Sequence, residues 1–224
     1  MAANAKPKEE KTWDQIVPPH YHKWRKVFSE MEAARFPEHQ PWDIAINFTE
    51  DAPKSLDCKI YPLTVAEQGQ LDDYIKENLE KGYIQPSKSQ YSSPFFFIGK
   101  KDRKLCSVVD YRKLNSFTVP DQYPLPLIQE LVDKVQDARL FTKIDVHTGY
   151  NNIRFKEGNE SKATFKTNKG LFEPTVMPFR LRNAPAVFQH MVNTQFADIL
   201  VEGTINYMDD FLVATPDNKE LHRE

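Results

Sequence analysis

Three carboxylates carry the strongest chemical signal in this 224-residue sequence: Asp145 and the adjacent pair Asp209-Asp210. Asp145 follows the run Leu140-Phe141-Thr142-Lys143-Ile144, and the pair lies between Thr204–Tyr207 and Phe211–Ala214. A carboxylate beside core-forming strands is costly to leave unpaired, so it calls for a cation. Two carboxylates at a tight turn can face one point, which neighbours on a straight strand cannot. A third from an adjacent strand completes an oxygen-lined site for Mg²⁺, with waters and substrate phosphates filling the remaining positions. Two such ions stabilise both the attacking and the leaving oxygen of an in-line phosphoryl transfer. For an isolated Asp-Asp, a plain polar hairpin turn is the alternative. The flanks Tyr207-Met208 and Phe211-Leu212-Val213 make this pair more specific.

These carboxylates need elements that bring them together. Leu140–Val146 reads as a strand delivering Asp145, and Thr204–Tyr207 with Phe211–Ala214 as a hairpin around Met208-Asp209-Asp210. Short strand patterns lie between them at Asn152–Lys156, Lys162–Thr167 and Leu171–Met177. Asn183 is placed to cap a helix that tolerates Pro185 in its first turn and is closed by Gly203. Its apolar stripe is Val187, Phe188, Met191, Val192, Phe196, Ile199 and Leu200. Upstream, Thr64 and Glu67 form a capping box for a helix with Leu71, Tyr74, Ile75 and Leu79 on one face, ended by Gly82. Phe95–Ile98 and Leu105–Tyr111 read as strands joined by a polar loop, Gly99–Lys104. Tyr123-Pro124-Leu125-Pro126 is an extended entry to a helix bearing Ile128, Leu131, Val132 and Val135. Residues 1–62, broken by prolines at 18, 19, 37, 41, 53 and 62 among others, read as an irregular connector with one helical stretch near His22–Arg35.

With 40% hydrophobic and 12% aromatic residues the chain can bury a core, which excludes wholesale disorder. Seven glycines and two cysteines exclude collagen-like and disulfide-scaffold classes. The apolar run Pro94–Ile98 is far too short to span a membrane, and Met1–Lys11 lacks the apolar core of a secretory signal. Cys58 and Cys106 have no partner at metal-ligand spacing and read as reduced intracellular thiols. The net charge of −2 conceals blocks: residues 27–80 carry four basic and twelve acidic groups, residues 81–120 eight basic and two acidic. A basic block interleaved with aromatics suits a phosphate-bearing partner, and a solvated basic face is the plainer alternative.

The motif Tyr207-Met208-Asp209-Asp210 resembles the signature of reverse transcriptases. Further segments agree in order: Val109–Asn115 with Thr118 and Tyr123–Pro126; Phe141–Asp145 with Gly149-Tyr150; Thr164–Thr167; Gly170–Glu173; Met177-Pro178-Phe179; and Asn183–Gln189. The combination is similar to that in gypsy-type long-terminal-repeat retrotransposon polyproteins, over roughly residues 15–224.

The resemblance implies an α/β (α+β) right-hand polymerase, with a small antiparallel palm sheet packed on helices. Fingers would come from residues 63–119 and 153–182, a partial palm from 120–152 and 183–224, and a connector from 1–62. It implies that Asp145, Asp209 and Asp210 are catalytic and hold Mg²⁺ or Mn²⁺ with the backbone carbonyl of Val146. Tyr150 would reject a ribose 2′-hydroxyl, and Phe179, Lys100 and Lys101 would meet the nucleotide. Arg112, Asn115 and Pro185 would approach the template. The implied partners are an RNA or DNA template–primer and deoxynucleoside triphosphates, with no membrane, in a cytoplasmic particle or the nucleus.

Four positions depart from the pattern. Arg103 stands where the family usually has Gly, and Cys106 where it has a triphosphate-gripping Arg; a thiol lacks the fork of donors and the fixed charge of a guanidinium. Arg180 replaces a Gly of the Met-Pro-Phe-Gly-Leu run, and Arg182 a smaller or uncharged residue. Either arginine adds a phosphate contact or blocks the pocket. No thumb follows the hairpin, and ribonuclease H and integrase domains have no room, so the chain reads as a fragment of a longer polyprotein. Three readings stay open: a polymerase domain, a non-catalytic nucleic-acid-binding remnant of the same fold, and a protein-interaction role for the acidic residues 27–80.

Overall fold

Local rules shape much of the chain before packing begins. The computed structural model describes residues 13–29, 35–99, 105–200, 203–220 and 222. It divides into two compact units, residues 1–35 and 36–224. The first holds a short helix α1 (Trp13–Ile16) and a 3₁₀ stretch over Pro19–Phe28. Of the helical segment expected near His22–Arg35, the described part is this stretch, which begins earlier, with Pro19 in its first turn, and is interrupted at Ser29, extended at φ −92° and ψ 119°; residues 30–34 lie outside the described residues.

In the second unit, α2 (Val65–Glu80) starts at the Thr64–Glu67 capping box, both arms of which are made. It ends before Gly82, whose φ of 72° suits a residue without a Cβ. Five strands follow in one sheet: β1 (Ile84–Pro86), β2 (Ser93–Gly99), β3 (Leu105–Val109), β5 (Phe165–Thr167) and β6 (Gly170–Pro174), in the order β1-β6-β5-β2-β3. All pairings are antiparallel except β2 with β5, a parallel seam of two residue pairs, Ser93 with Phe165 and Pro94 with Lys166. Leu71, Ile84, Phe95, Phe165 and Phe172 form the core between this sheet and α2.

A second, three-stranded antiparallel sheet has the order β4-β8-β7, from β4 (Leu140–Asp145), β7 (Thr204–Tyr207) and β8 (Asp210–Thr215). Helix α5 (Ala184–Gln195) packs on it; Phe196, at the helix C-cap, meets Phe211 edge-on with ring centroids 5.3 Å apart. Phe188, Phe155, Met177, Leu114 and Tyr111 fill the main core. Each large apolar side chain fully buried there contributes about 1.5–3 kcal/mol of transfer free energy. Short helices α3 (Arg112–Ser116) and α4 (Ile128–Lys134) complete the fold.

Several expectations need correction. The Asn152–Lys156 strand is instead a 3₁₀ turn, Gly149–Asn152, followed by isolated bridges from Arg154 to Val176 and from Phe155 to Ile44. Ile153 and Phe155 are fully buried between exposed Asn152 and Lys156, an alternation that imitates a strand although only single bridges form. Asn183 sits at the N-cap of α5 without capping it: its side chain accepts from Asp121 N–H and donates to the Val119 carbonyl, both 2.9 Å. The apolar face of α4 is largely uncovered, with Ile128 65% and Val132 53% exposed. Residues 36–62 are irregular, yet they lend Ile44, Ile46 and Leu56 to the main core. No helix among the described residues is long and apolar enough to cross a membrane.

Candidate active site

Strand register brings the sequence-distant carboxylates together. Asp145, last residue of β4, lies directly opposite Asp210, first residue of β8. Opposed Cα atoms in an antiparallel pair are about 4.5–5.5 Å apart. Beyond that pair, the amide of Val146 donates to the carbonyl oxygen of Asp209 at 3.0 Å. The β7–β8 turn has only two residues outside the ladder, Met208 and Asp209, because Tyr207 pairs with Asp210. Met208 has φ 56° and Thr148 has φ 53°, the two non-glycine residues with positive φ among those described. Both belong to this site, where backbone strain is held in place by the surrounding structure.

Lys143 stands two residues before Asp145, on the same face of β4, and its Nζ meets Asp210 Oδ1 at 2.8 Å. The hydrogen bond to Asp210 holds the ammonium pKa above its ordinary value, and the charges of Asp145 and Asp209 add to the effect. One lysine therefore senses all three carboxylates. Asp210 is engaged, leaving the Asp145 and Asp209 carboxylates without an ion pair among the described residues; the Val146 carbonyl accepts one long bond, from the Gly149 amide at 3.3 Å, and keeps a second lone pair as an oxygen donor. Among the described residues no three His, Cys, Asp or Glu side chains stand close enough to hold an ion by themselves. This donor set still suits Mg²⁺, which is commonly held by one or two carboxylates together with waters and substrate phosphates.

A cavity of about 770 Å³ opens beside the turn, lined by Tyr150, Phe179, Arg180, Pro185, Met208 and Asp209 among others. Tyr150 stacks on the buried ring of Phe188, centroids 4.7 Å apart at 21°. Burial, then the negative charge of Asp209, pushes its phenol pKa upward. The stack requires Gly149, where a Cβ would come within 2.9 Å of the Phe188 ring and 3.0 Å of Val146. Arg180 lies with its guanidinium carbon 5.2 Å from the Phe179 ring centroid and is the one cation among the described residues lining this cavity.

An adjoining cavity of about 430 Å³ is lined by Asp110, Arg112, Asn115 and again Arg180. Arg112 grips Asp110 by Nε at 2.9 Å and Nη2 at 2.6 Å. That bond holds the Asp110 carboxyl below its ordinary pKa, with a contribution from Arg180. Asn115 latches the following loop: it donates to the Arg180 carbonyl and accepts from Arg182 N–H, both 2.9 Å. The Arg182 guanidinium donates to the Asn115 and Thr118 carbonyls, both at 3.2 Å, so it neither reaches into nor blocks the large cavity.

The structure thus gathers Asp145, Val146, Asp209, Asp210, Tyr150 and Phe179 in one place. Pro185 lines the cavity shared with Tyr150, whereas Arg112 and Asn115 line its neighbour. Lys100, Lys101 and Arg103 lie outside the described residues. Residue patterns gave no role to Lys143, Thr148, Gln189 or Asn206. A fully buried glutamine among the apolar residues of α5 was the available signal for one of them.

Known proteins resemble this chain in sequence and in fold. The family model described as reverse transcriptase (RNA-dependent DNA polymerase) matches residues 98–224. The Tf2-3 and Tf2-7 transposon polyproteins of Schizosaccharomyces pombe are 33% and 32% identical to the chain over 205 residues. Those matches cover 91% of the chain, which spans 15% of each polyprotein's length. Among solved structures, the foamy viral protease-reverse transcriptase in complex with an RNA/DNA hybrid matches with a TM-score of 0.77 and 18% identity, over 91% of this chain and 27% of that one. A form of that enzyme bound to double-stranded DNA matches with the same score and identity, over 35% of its chain.

Proposed function

The chain belongs to the reverse transcriptase (RNA-dependent DNA polymerase) family, and we propose that it supplies the fingers and part of the palm of a gypsy-type retrotransposon polymerase that extends a primer 3′-hydroxyl with deoxynucleotides. The observation that carries the proposal is the coupling of β4 to the hairpin turn: Asp145 opposite Asp210, and Val146 bonded to Asp209, beside a cavity of nucleotide size. Asp145, Asp209 and the Val146 carbonyl would hold Mg²⁺ or Mn²⁺, whose charge offsets that developing on the phosphoryl oxygens. Everything else is positioning, which is where most of the catalysis of phosphoryl transfer lies. Tyr150, fixed by its stack on Phe188, forms a wall that a 2′-hydroxyl would strike. Phe179 provides an apolar surface for the base or sugar, and Arg180 faces the phosphates. Arg112, Asn115 and Pro185, with Lys100 and Lys101 of the β2–β3 loop, contribute to the template and nucleotide approaches.

The test is primer extension on an RNA template with Mg²⁺, beside binding of the same template–primer by fluorescence anisotropy. Asp209→Asn is expected to lower extension by about 10²-fold or more, the scale of losing one preorganised electrostatic group, and to leave binding within about threefold. Equal extension by the variant overturns the proposal. A second reading, a nucleic-acid-binding remnant, is favoured by one feature: Cys106 on β3 offers only a weak thiol bond to the Ser107 carbonyl, at 3.7 Å. Salt-sensitive binding without extension by the wild-type chain supports that reading.

A further inference from the structure

Gln189 lies in the middle of α5 with no exposed surface, beside the buried residues Phe188 and Val192. A buried amide has one carbonyl acceptor and two N–H donors, all needing partners. Each is met, and two of the three bonds serve the β7–β8 turn. Oε1 accepts from the Met208 amide at 3.0 Å. Nε2 donates to Asn206 Oδ1 and to Asn193 Oδ1, both at 2.9 Å. Asn206, 3% exposed, then donates its own Nδ2 to the carbonyl oxygens of Met208 at 2.7 Å and of Asp210 at 3.2 Å.

The network fixes its own orientation. Turning either amide over would set donor against donor or acceptor against acceptor. Both backbone polar groups of Met208 are therefore held by side chains from beneath the turn. Met208 is the residue at φ 56°, a conformation that a methionine adopts only when its surroundings enforce it. Asp209 follows it directly, so the backbone angle at Met208 decides where that carboxylate points.

Building on the polymerase reading, we infer that Gln189 is a positioning residue: through Asn206 it holds Met208 in the left-handed conformation that aims Asp209 at the reacting phosphate. Gln189 is too deep to touch substrate. An apolar residue of equal length would fill the same space, yet it would leave the Met208 amide without its acceptor and free the turn to relax.

The experiment uses Gln189→Met, alone and in a Met208→Gly background, in the full chain. The first readout is hydrogen exchange of the Met208 amide, which is expected to accelerate about tenfold or more, since local opening sets the rate. The second is steady-state primer extension: kcat falls by about tenfold to a hundredfold, the range for a misplaced reactive group, while nucleotide KM and template–primer affinity stay within about threefold. Glycine accepts positive φ at no steric cost, so the kcat penalty of Gln189→Met is expected to shrink in the Met208→Gly background. Unchanged exchange, or an equal penalty in both backgrounds, overturns the inference. Should Gln189→Met melt at room temperature, Asn206→Asp, which keeps shape but sets carboxylate oxygen against two carbonyls, is held to the same exchange and kcat criteria. If the wild-type chain extends no primer, the polymerase reading fails, and amide exchange alone still decides whether Gln189 holds the turn.

Discussion

The amide of Val146 and the carbonyl oxygen of Asp209 meet at 3.0 Å. Through that bond the end of β4 and the turn of a hairpin some sixty residues later behave as one piece of backbone. Asp145 and Asp209 are thus set by main-chain geometry. Side-chain choice enters one layer out, at Lys143, Tyr150 and Gln189, where this chain tunes the site.

Gly149 bears on that outer layer most directly. In Gly149→Ala the new Cβ meets a Phe188 ring that is fully buried. Overpacking of this kind costs about 1–3 kcal/mol. For a protein of this size that corresponds to a loss of about 2–4 °C in Tm per kcal/mol. Calorimetry is expected to show that loss together with reduced primer extension, because the Tyr150 stack must shift. An unchanged Tm would mean that α5 moves aside freely.

Tyr150 is the expected barrier to ribonucleotides. In Tyr150→Val the wall is shortened while the Phe188 ring beneath it remains. The kcat/KM for a ribonucleoside triphosphate, divided by that for its deoxy counterpart, is expected to rise by about tenfold or more. A ratio that stays constant removes Tyr150 from sugar selection.

Arg180 lines both cavities and, among the described residues, has no carboxylate at ion-pair distance. A guanidinium–phosphate bond is worth about 1.5–3 kcal/mol. Arg180→Ala is therefore expected to raise the nucleotide KM by about tenfold or more while leaving template–primer affinity within a few-fold. A fall in KM would instead identify Arg180 as an obstruction.

Asp110 gives a pH signature. Its carboxyl is held below the ordinary value by the Arg112 guanidinium, so its folded pKa is lower than its unfolded one. The resulting stabilisation is fully present above the unfolded value near 4 and is lost as pH falls through the folded value. Between about pH 5 and pH 2.5 the wild-type Tm should fall more steeply than that of Asp110→Asn. Parallel curves would show that this pair, whose arginine is largely exposed, contributes nothing, as many surface ion pairs do.

What could be read from residue types alone follows a physical division. The Thr64–Glu67 cap and the β7–β8 hairpin are local: their partners lie three and a few residues apart, and both form as expected. The Asp145–Asp210 juxtaposition is long-range, and it came from motif resemblance, since periodicity carries no register between β4 and β8. Asn183 departs from the expected cap because a capping residue and a residue bonding across to Val119 and Asp121 have the same identity. The stripe on α4 announced an apolar face correctly, but an apolar face does not say what covers it. Positive φ at Thr148 and Met208 left no mark at all, since neither is a glycine.

The parallel seam between β2 and β5 has a consequence for how the chain acquires its shape. The β2–β3 and β5–β6 ribbons each join neighbours in sequence, so each closes over a short loop. Stitching Ser93 to Phe165 instead requires a loop of roughly seventy residues to close, an entropic cost recovered only when many contacts form together. The larger sheet thus joins two local ribbons and the single strand β1, itself paired with β6, across long loops, and the chain those loops enclose is the very stretch that carries Asp145.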